Sequence, residues 1–350
     1  MKFLAEIRKL VLGSMSLLAL SAGVLTACDD AIYDDEGNCS SIYKVGFTYD
    51  KNMKFADAFA SEVKSVTLYA FDTGGRFVRS FNSSVAAMAS NGYQMDVDLD
   101  PGQYTLIAWG GLNDGMNSFS VPTLSPGDPM ATLTNTVRRE AGVVKEIDQL
   151  YYGATTVSFP DEEGVHSVTV PLMKDTNRIK IILQSLSGTI LDVENFKFYI
   201  TSEDGKMNFD NSLMSDEVLT YQPYFMQAGS AEVITRAEEG EGEVQQLGMV
   251  MAELNTARLV KDWQTRTWLH ITNAEGKNII TVPLIDMFLL IKGKYGQNMS
   301  DQEFLDRQDD FNMTFFLYDS YSGEGEPEHE WMSSEIIINS WKVILQDVNF

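Results

Sequence analysis

The residue with the clearest chemistry is Cys28, which closes the sequence Leu25-Thr26-Ala27-Cys28. A thiol at this point can accept a diacylglyceryl group, and the small residues before it fit a lipoprotein signal peptidase that cuts between Ala27 and Cys28. Cys28 would then start the mature chain with two or more acyl chains, which anchor stably where a single chain is marginal. The alternatives are an ordinary signal peptide with an unrelated cysteine and an N-terminal transmembrane anchor.

Residues 1–27 have the composition of an export signal. Lys2, Arg8 and Lys9 give a positive start, and the stretch from Leu10 to Ala27 carries no charge. This stretch is short for a membrane span and suits the apolar region of a signal peptide. We therefore predict a lipoprotein signal peptide over 1–27 and a lipid-anchored protein exposed on the cell outer membrane.

The remaining residue types form no catalytic or metal-binding pattern. His166, His270 and His329 lie far apart, without a cysteine close enough to complete a metal site. The sequence contains no phosphate-binding glycine loop, nucleophile elbow or zinc-protease motif. Acidic residues are numerous, but their spacing singles out no pair for acid–base work. We predict no enzymatic activity, no metal and no cofactor.

The charge balance excludes one class of partner. The chain has 50 acidic and 26 basic residues, a net charge of −24. A surface this acidic repels phosphate backbones, so we expect no nucleic-acid binding. Once Cys28 is acylated, Cys39 is the other cysteine in the sequence, and no intramolecular disulfide can form. Cys39 is either a small buried residue or a reactive thiol.

The predicted strands begin after an acidic stretch that follows Cys28. Five of the eight residues 29–36 are acidic, which indicates a solvated tether over 28–41. A surface-export signal is the alternative reading of the same stretch.

Strand patterns then extend to the end of the chain. Residues 63–71 and 76–81 flank Gly74-Gly75, and residues 93–99 and 104–109 flank Asp100-Pro101-Gly102, so each pair predicts a hairpin. A third hairpin is predicted around Ala274-Glu275-Gly276. Short strands with turns at this spacing indicate an all-β fold of antiparallel β-sandwiches. We place the domains at 42–173 and 174–350.

Two short helices interrupt the strands of the second domain. Residues 284–290 follow Pro283, which suits the first turn of a helix. Ser300 and Glu303 have the spacing of a capping box, in which the serine oxygen accepts the amide three residues on and the glutamate reaches back.

In its last third the sequence resembles the FimB-type fimbrial anchor family of Bacteroidales. The resemblance spans the mature chain and is densest over the last 70 residues. The segments that carry it are Pro283–Asp286, Met299–Phe316, Ile338–Val343, Asp100–Thr105 with Trp109–Gly111, and Lys174–Ile179.

This resemblance implies two transthyretin-like β-sandwiches and a place at the base of a type V pilus, where an anchor could terminate assembly. It also implies a fimbrial shaft subunit as partner, bound by strand addition. Related shaft subunits are cut after an early arginine, which opens a groove for a strand of the next subunit. No arginine lies between Cys28 and Arg76, as expected of an anchor that keeps its lipid.

The strand predicted around Ile336–Leu345, or the tail through Phe350, is the candidate for contact with the shaft. Alternation places Ile336 and Ile338 on one face, and Trp341, Val343 and Leu345 on the other. A core strand without partner contact is the alternative. At the level of function, the alternatives are a surface glycan-binding lipoprotein, suggested by five tryptophans, and a shaft or tip subunit of the fimbrium.

Overall fold

The computed structural model describes residues 41–112, 118–186, 190–235, 243–293, 298–320, 330–338 and 341–344. Strands dominate these residues, which confirms the predicted all-β class. The strands of the first half are, in chain order, β1 (Ser41–Lys51), β2 (Ser65–Phe71), β3 (Phe77–Ser84), β4 (Gln94–Val97), β5 (Gly102–Gly110), β6 (Phe119–Ser120), β7 (Thr134–Val137), β8 (Val143–Val144), β9 (Tyr151–Phe159) and β10 (Gly164–Lys174). Those of the second half are β11 (Thr176–Ser185), β12 (Phe196–Ser202), β13 (Lys206–Asn208), β14 (Leu219–Tyr221), β15 (Phe225–Thr235), β16 (Glu243–Ala257), β17 (Trp268–Asn273), β18 (Asn278–Pro283), β19 (Asp310–Ser320), β20 (Glu330–Ile338) and β21 (Trp341–Ile344).

The helices are short. The α-helices of the described residues are α1 (Phe59–Glu62), α2 (Val85–Met88), α3 (Leu284–Leu290) and α4 (Asp301–Arg307), and single 3₁₀ turns cover Ala89–Asn91, Met130–Thr132, Val193–Asn195 and Lys261–Arg266. Helix α4 begins as predicted, since the Ser300 Oγ accepts the Glu303 amide at 3.0 Å. The Glu303 carboxylate accepts from Arg307 Nε instead of reaching back. No helix in the described ranges is long and apolar enough to cross a membrane.

The first sandwich is a seven-stranded sheet folded over on itself, with the order β3-β2-β5-β9-β10-β1-β4. β9 and β10 pair only at Tyr151 and Tyr152, so the sheet bends there into two layers. Residues from both layers share one buried cluster, which includes the fully buried Val45, Leu68 and Val170. The outer face of β2 and β5 is buried as well, because Trp109 belongs to the cluster of the second sandwich.

The second sandwich packs a six-stranded sheet, β15-β16-β11-β19-β20-β21, with a five-stranded sheet, β18-β17-β12-β14-β8. Apolar residues of both sheets form its core, among them Ile181, Ile200, Leu269 and Phe315, all fully buried. Helices α3 and α4 add Phe288 and Phe304 to the same cluster. Burial of these alternating positions gives the strands of both sheets their apolar pattern.

The segment between β5 and β9 joins the two halves. β7 pairs with β13 in a three-stranded sheet, and β8 pairs in parallel with β14 of the second sandwich. The predicted boundary between residues 173 and 174 coincides with the passage from β10 to β11. The domain boundary itself stays a prediction. Two strands that precede residue 174, β7 and β8, pair with β13 and β14, which follow it.

Two sequence predictions of strand pairing need correction. The hairpin around Asp100-Pro101-Gly102 is wrong, because β4 pairs with β1 and β5 lies between β2 and β9. An alternating pattern indicates that a strand is half-buried, but it does not indicate which other strand pairs with it. The sandwiches are also not purely antiparallel, since β1 pairs in parallel with β10 and β11 in parallel with β19. The hairpins around Gly74-Gly75 and Ala274–Gly276 are confirmed.

Candidate functional site

The residue predicted to carry the lipid, Cys28, lies outside the described residues, as does Ala27 at the predicted cleavage point. The described chain begins at Ser41, the first residue of β1. The peptide units between Cys28 and Ser41 span at most about 45 Å when fully extended. A lipid on Cys28 would therefore keep the start of β1 within that distance of the membrane surface.

Strand β1 lies inside its layer, with a neighbour on each side. It pairs in parallel with β10 from Ser41 to Thr48 and antiparallel with β4 from Tyr43 to Gly46. Its inward side chains are at most 5% exposed: Tyr43, Val45, Phe47 and Tyr49. Removal of β1 would uncover the core of the first sandwich and leave a gap one strand wide between β10 and β4.

The end of β1 is tied to the second half through the buried carboxylate of Asp306. Lys51 Nζ lies 3.2 Å from Asp306 Oδ2. The other oxygen, Asp306 Oδ1, accepts from Arg258 Nη2 at 2.9 Å and from Gln302 Nε2 at 2.7 Å. These donors come from β1, from the end of β16 and from α4, so one carboxylate holds three elements together.

A second buried carboxylate, Asp175, lies at the passage from β10 to β11. Its side chain is fully buried and accepts from Asn211 Nδ2 at 2.9 Å, with Arg258 Nε at 3.8 Å. Burial raises the pKa of Asp175 to about 7, against the lowering effect of Arg258 and the Asn211 hydrogen bond. Arg258 thus stands between two buried carboxylates at the junction of the two halves.

Sequence reasoning missed both carboxylates. Asp175 and Asp306 lie within the segments Lys174–Ile179 and Met299–Phe316 that carry the family resemblance. The sequence placed Asp306 on the surface of the short helix, which is wrong because its side chain is buried. Their common partner, Arg258, is far from both in the chain. For Asp306 the available signal was an acid directly after Phe304 and Leu305, whereas Asp175 stands among polar residues and gave no signal.

The predicted partner strand consists of two strands. β20 pairs antiparallel with β19, and β21 pairs antiparallel with β20, so the prediction of one strand through Ile336–Leu345 is wrong. The turn-favouring pair Asn339-Ser340 inside that apolar run was the overlooked signal. Among the described residues, β21 lies at one of the two edges of its sheet.

The register of these strands changes the predicted faces. Ile336 is opposite Val343 and Ile338 is opposite Trp341, and opposite positions lie on one face of a sheet. Positions 336, 338, 341 and 343, which the alternation assigned to two faces, therefore lie on one face of the sheet. Ile338 itself is fully buried. Leu345 lies outside the described residues.

The side chains of His270, Trp109 and Trp263 make contacts within the protein. His270 stacks on Tyr199 at 4.8 Å and lies 3.0 Å from Thr201 Oγ1, and burial lowers its pKa. Trp109 is fully buried, and the guanidinium of Arg266 lies 4.4 Å from the ring centre of Trp263. No group of three or more His, Cys, Asp or Glu in the described residues is placed to hold a metal ion.

An open cleft of about 430 Å³ lies between the edge strands β3 and β4. The buried Met88 and Met95 line it, together with the polar side chains of Asn82, Gln94 and Asp96. The side-chain amides of Asn82 and Gln94 form no hydrogen bond with other described residues. Amide and carboxylate groups can bind the hydroxyl groups of a sugar.

The family profile of the fimbrillin-A associated anchor proteins Mfa1 and Mfa2 matches residues 35–347 of the chain. A curated relative is the minor fimbrium anchoring subunit Mfa2 of Porphyromonas gingivalis. It is 25% identical over 228 residues, which are 62% of this chain and 67% of that protein. The family resemblance noted in the sequence is thereby confirmed.

Two solved structures from Bacteroides thetaiotaomicron have the same fold. A proposed adhesin matches with a TM-score of 0.73 and 32% identity, covering 87% of this chain and 97% of its own. A proposed polysaccharide-binding protein matches with a TM-score of 0.72 and 30% identity, covering 88% of this chain and 99% of its own. Because nearly all of both proteins is matched, the similarity concerns the whole architecture.

Proposed function

Because the chain belongs to the family of fimbrillin-A associated anchor proteins Mfa1 and Mfa2, we propose that it fixes a fimbrium to the outer membrane through a lipid on Cys28. The observation that carries this proposal is the family match over residues 35–347, preceded by the lipobox that ends in Cys28. The matched relative is itself described as an anchoring subunit. The lipid keeps the protein at the cell surface, and the sandwiches hold the fibre.

The position of the first arginine supports a place at the end of the fibre, because it predicts that the first strand is kept. In shaft subunits, loss of an early strand opens the groove that receives the next subunit. Here β1 fills the corresponding place in its own layer, between β10 and β4. Arg76 is the first arginine after Cys28, and a cut there would remove β1 and β2 together. A chain that keeps β1 offers no such groove and terminates assembly.

The proposed contact with the shaft subunit includes the C-terminal hairpin. β21 is an edge strand whose backbone can pair with an added strand, and the chain continues beyond it to Phe350. Deletion of residues 346–350 should weaken the capture of shaft subunits while the circular dichroism spectrum and unfolding midpoint stay unchanged. Undiminished capture by the shortened protein would remove the tail from this contact.

The lipid is tested by the substitution Cys28→Ala in cells that make fimbriae. Without the acylated thiol the anchor has no hold on the membrane, so polymerised fimbriae should move from the cell fraction into the medium. Electron microscopy and immunoblotting of both fractions measure the shift, and Cys39→Ala is the matched control. Fimbriae that stay on cells carrying Cys28→Ala would contradict the anchor function.

Glycan binding is a second candidate function. It is favoured by the proposed polysaccharide-binding protein, 30% identical over 88% of this chain, and by the polar cleft between β3 and β4. Binding to a polysaccharide column that disappears in the double variant Asn82→Ala, Gln94→Ala would support it. Equal retention of the two proteins would exclude the cleft as the site.

A further inference from the structure

Three side chains on the outer face of the first sandwich bring an amine, an amide and a carboxylate into contact. Lys44 Nζ donates to Asn91 Oδ1 at 2.6 Å. Asp96 Oδ1 lies 3.3 Å from Lys44 Nζ and accepts from Asn91 Nδ2 at 3.1 Å. One carboxylate oxygen therefore contacts both the amine and the amide nitrogen, and the amine also contacts the amide oxygen.

Local structure holds the three groups in this arrangement. Lys44 of β1 is opposite Asp96 of β4, so their side chains lie on one face of the sheet. Asn91 ends the 3₁₀ turn before β4, and its Nδ2 also donates to the backbone oxygen of Gln94 at 3.1 Å. The side chain of Lys44 is 19% exposed and that of Asp96 is 66% exposed. Asn91 and Asp96 line the cleft between β3 and β4, through which a small product can leave.

This arrangement favours a reaction between the lysine and the asparagine. Because the fold holds the amine against the amide, the step is effectively unimolecular, and well-oriented groups of this kind react as if one were present at about 10⁵ M or more. A carboxylate that contacts both nitrogens can carry the proton between them. An ion pair between Lys44 and Asp96 does not explain the contact with Asn91. Charge-assisted contacts are normally the shorter ones, but here the amine lies closer to the neutral amide oxygen than to the carboxylate.

We propose that Lys44 and Asn91 join in an intramolecular isopeptide bond, with Asp96 as the proton carrier. The neutral Lys44 amine attacks Asn91 Cγ, so that a Nζ–Cγ bond forms and the Cγ–Nδ2 bond breaks. Asp96 takes the proton that Nζ loses and passes it to Nδ2, which leaves as ammonia. The products are one crosslinking amide and one ammonia, and the step needs no oxidant, reductant or cofactor.

This bond fastens β1 to the segment before β4. Three residues of β1, Ser41–Tyr43, precede the linked lysine. A force applied from the N-terminal side therefore meets a covalent bond before it can separate the rest of β1 from β10 and β4. The crosslink also closes a loop of the unfolded chain, which raises stability as a disulfide does. The inference concerns the chain itself and does not depend on the proposed anchor function.

The bond is tested by mass spectrometry of the full chain, isolated from cells and digested. Lys44 and Asn91 should be found in one branched peptide, lighter by one ammonia than the two separate peptides together. Asp96→Asn removes the proton carrier and should slow the reaction roughly a hundredfold or more, so that freshly made protein lacks the branched peptide. Lys44→Arg keeps the charge, removes the primary amine and should abolish the crosslink. Asp98→Asn is the matched control, since that carboxylate pairs with Arg79 and its loss should leave the branched peptide unchanged.

The wild-type chain decides the proposal independently of how well the variants fold. Folded wild-type protein without the branched peptide would overturn it. Loss of ammonia from Asn91 that persists in Lys44→Arg would overturn it as well, because Gly92 follows Asn91 and its backbone nitrogen can close a succinimide ring there. An Asp96→Asn variant that keeps the thermal unfolding of a folded chain and crosslinks as fast as the wild type would overturn the role given to Asp96.

Discussion

At the scale of single residues, the two buried carboxylates of the junction are held in different ways. Asp306 has donors on both oxygens, from Lys51, Arg258 and Gln302. Asp175 has one hydrogen bond, from Asn211, and its Oδ2 has no partner in the described residues. The protonated form of such a carboxyl is favoured by burial, which is the cause of the raised pKa of Asp175.

The substitution Asp175→Asn should change how stability depends on pH. The pKa of Asp175 is about 7 in the folded chain against an ordinary 3.8, so the folded state binds more protons between these pH values. Stability then falls as the pH rises from about 4 to about 7. Asparagine resembles the protonated form, and we expect equal stability near pH 4 and a variant that is more stable by roughly 2–4 kcal/mol above pH 7. Urea unfolding from pH 4 to 8 measures this, and parallel curves for both proteins would contradict it.

At the scale of elements, the sequence predicted local structure better than pairing. The Gly74-Gly75 hairpin and the Ser300 cap depend on residues three or four positions apart, and both are confirmed. The neighbour of β4 depends on distant contacts, whereas the division of the C-terminal run into β20 and β21 is local, and its turn-favouring pair was overlooked. The sequence also could not show that β15 lies at the end of the six-stranded sheet, because a strand becomes an edge only through the order of the sheet.

The substitution Gly111→Ala should disturb the exit from β5. Gly111 has a φ of +89°, and a Cβ there would lie 2.0 Å from the carbonyl oxygen of Gln149. Backbone strain and this overlap together should lower the free energy of unfolding by roughly 3 kcal/mol or more. Gly75→Ala is the control, since Gly75 has a φ of +67° and no atom within 4 Å of the added Cβ. It should cost about 1 kcal/mol, and equal losses in urea unfolding would refute the role of the overlap.

At the scale of the whole molecule, the two sandwiches are interlocked rather than joined by a simple linker. The segment 118–150 supplies β7 and β8 to sheets of the second half, and Trp109 of β5 belongs to the second core. Lys51, Arg258 and Asp306 add a buried polar contact at the same junction. We expect the two halves to unfold together in a single transition.

The substitution Asp306→Ala tests this coupling. It leaves Arg258 and Lys51 without the carboxylate that they share, and loss of one partner from a buried charge network costs about 3–5 kcal/mol. We expect a lower denaturation temperature and, if the junction opens first, two transitions in calorimetry. Asp98→Ala is the control, because the ion pair between Arg79 and Asp98 is exposed and should contribute nothing measurable. Equal behaviour of the two variants would show that the junction is held by apolar packing alone.

The parallel pairing of β1 with β10 determines how the protein meets mechanical load. If the proposed lipid on Cys28 holds a fibre, drag would pull β1 backward from Ser41, while the second sandwich would pull β10 forward through β11. The eight pairs from Ser41 to Thr48 are then loaded in shear and share the force at once. An antiparallel hairpin pulled from its open ends would instead unzip pair by pair. In the proposed anchor, this shear geometry would resist opening more strongly than such a hairpin.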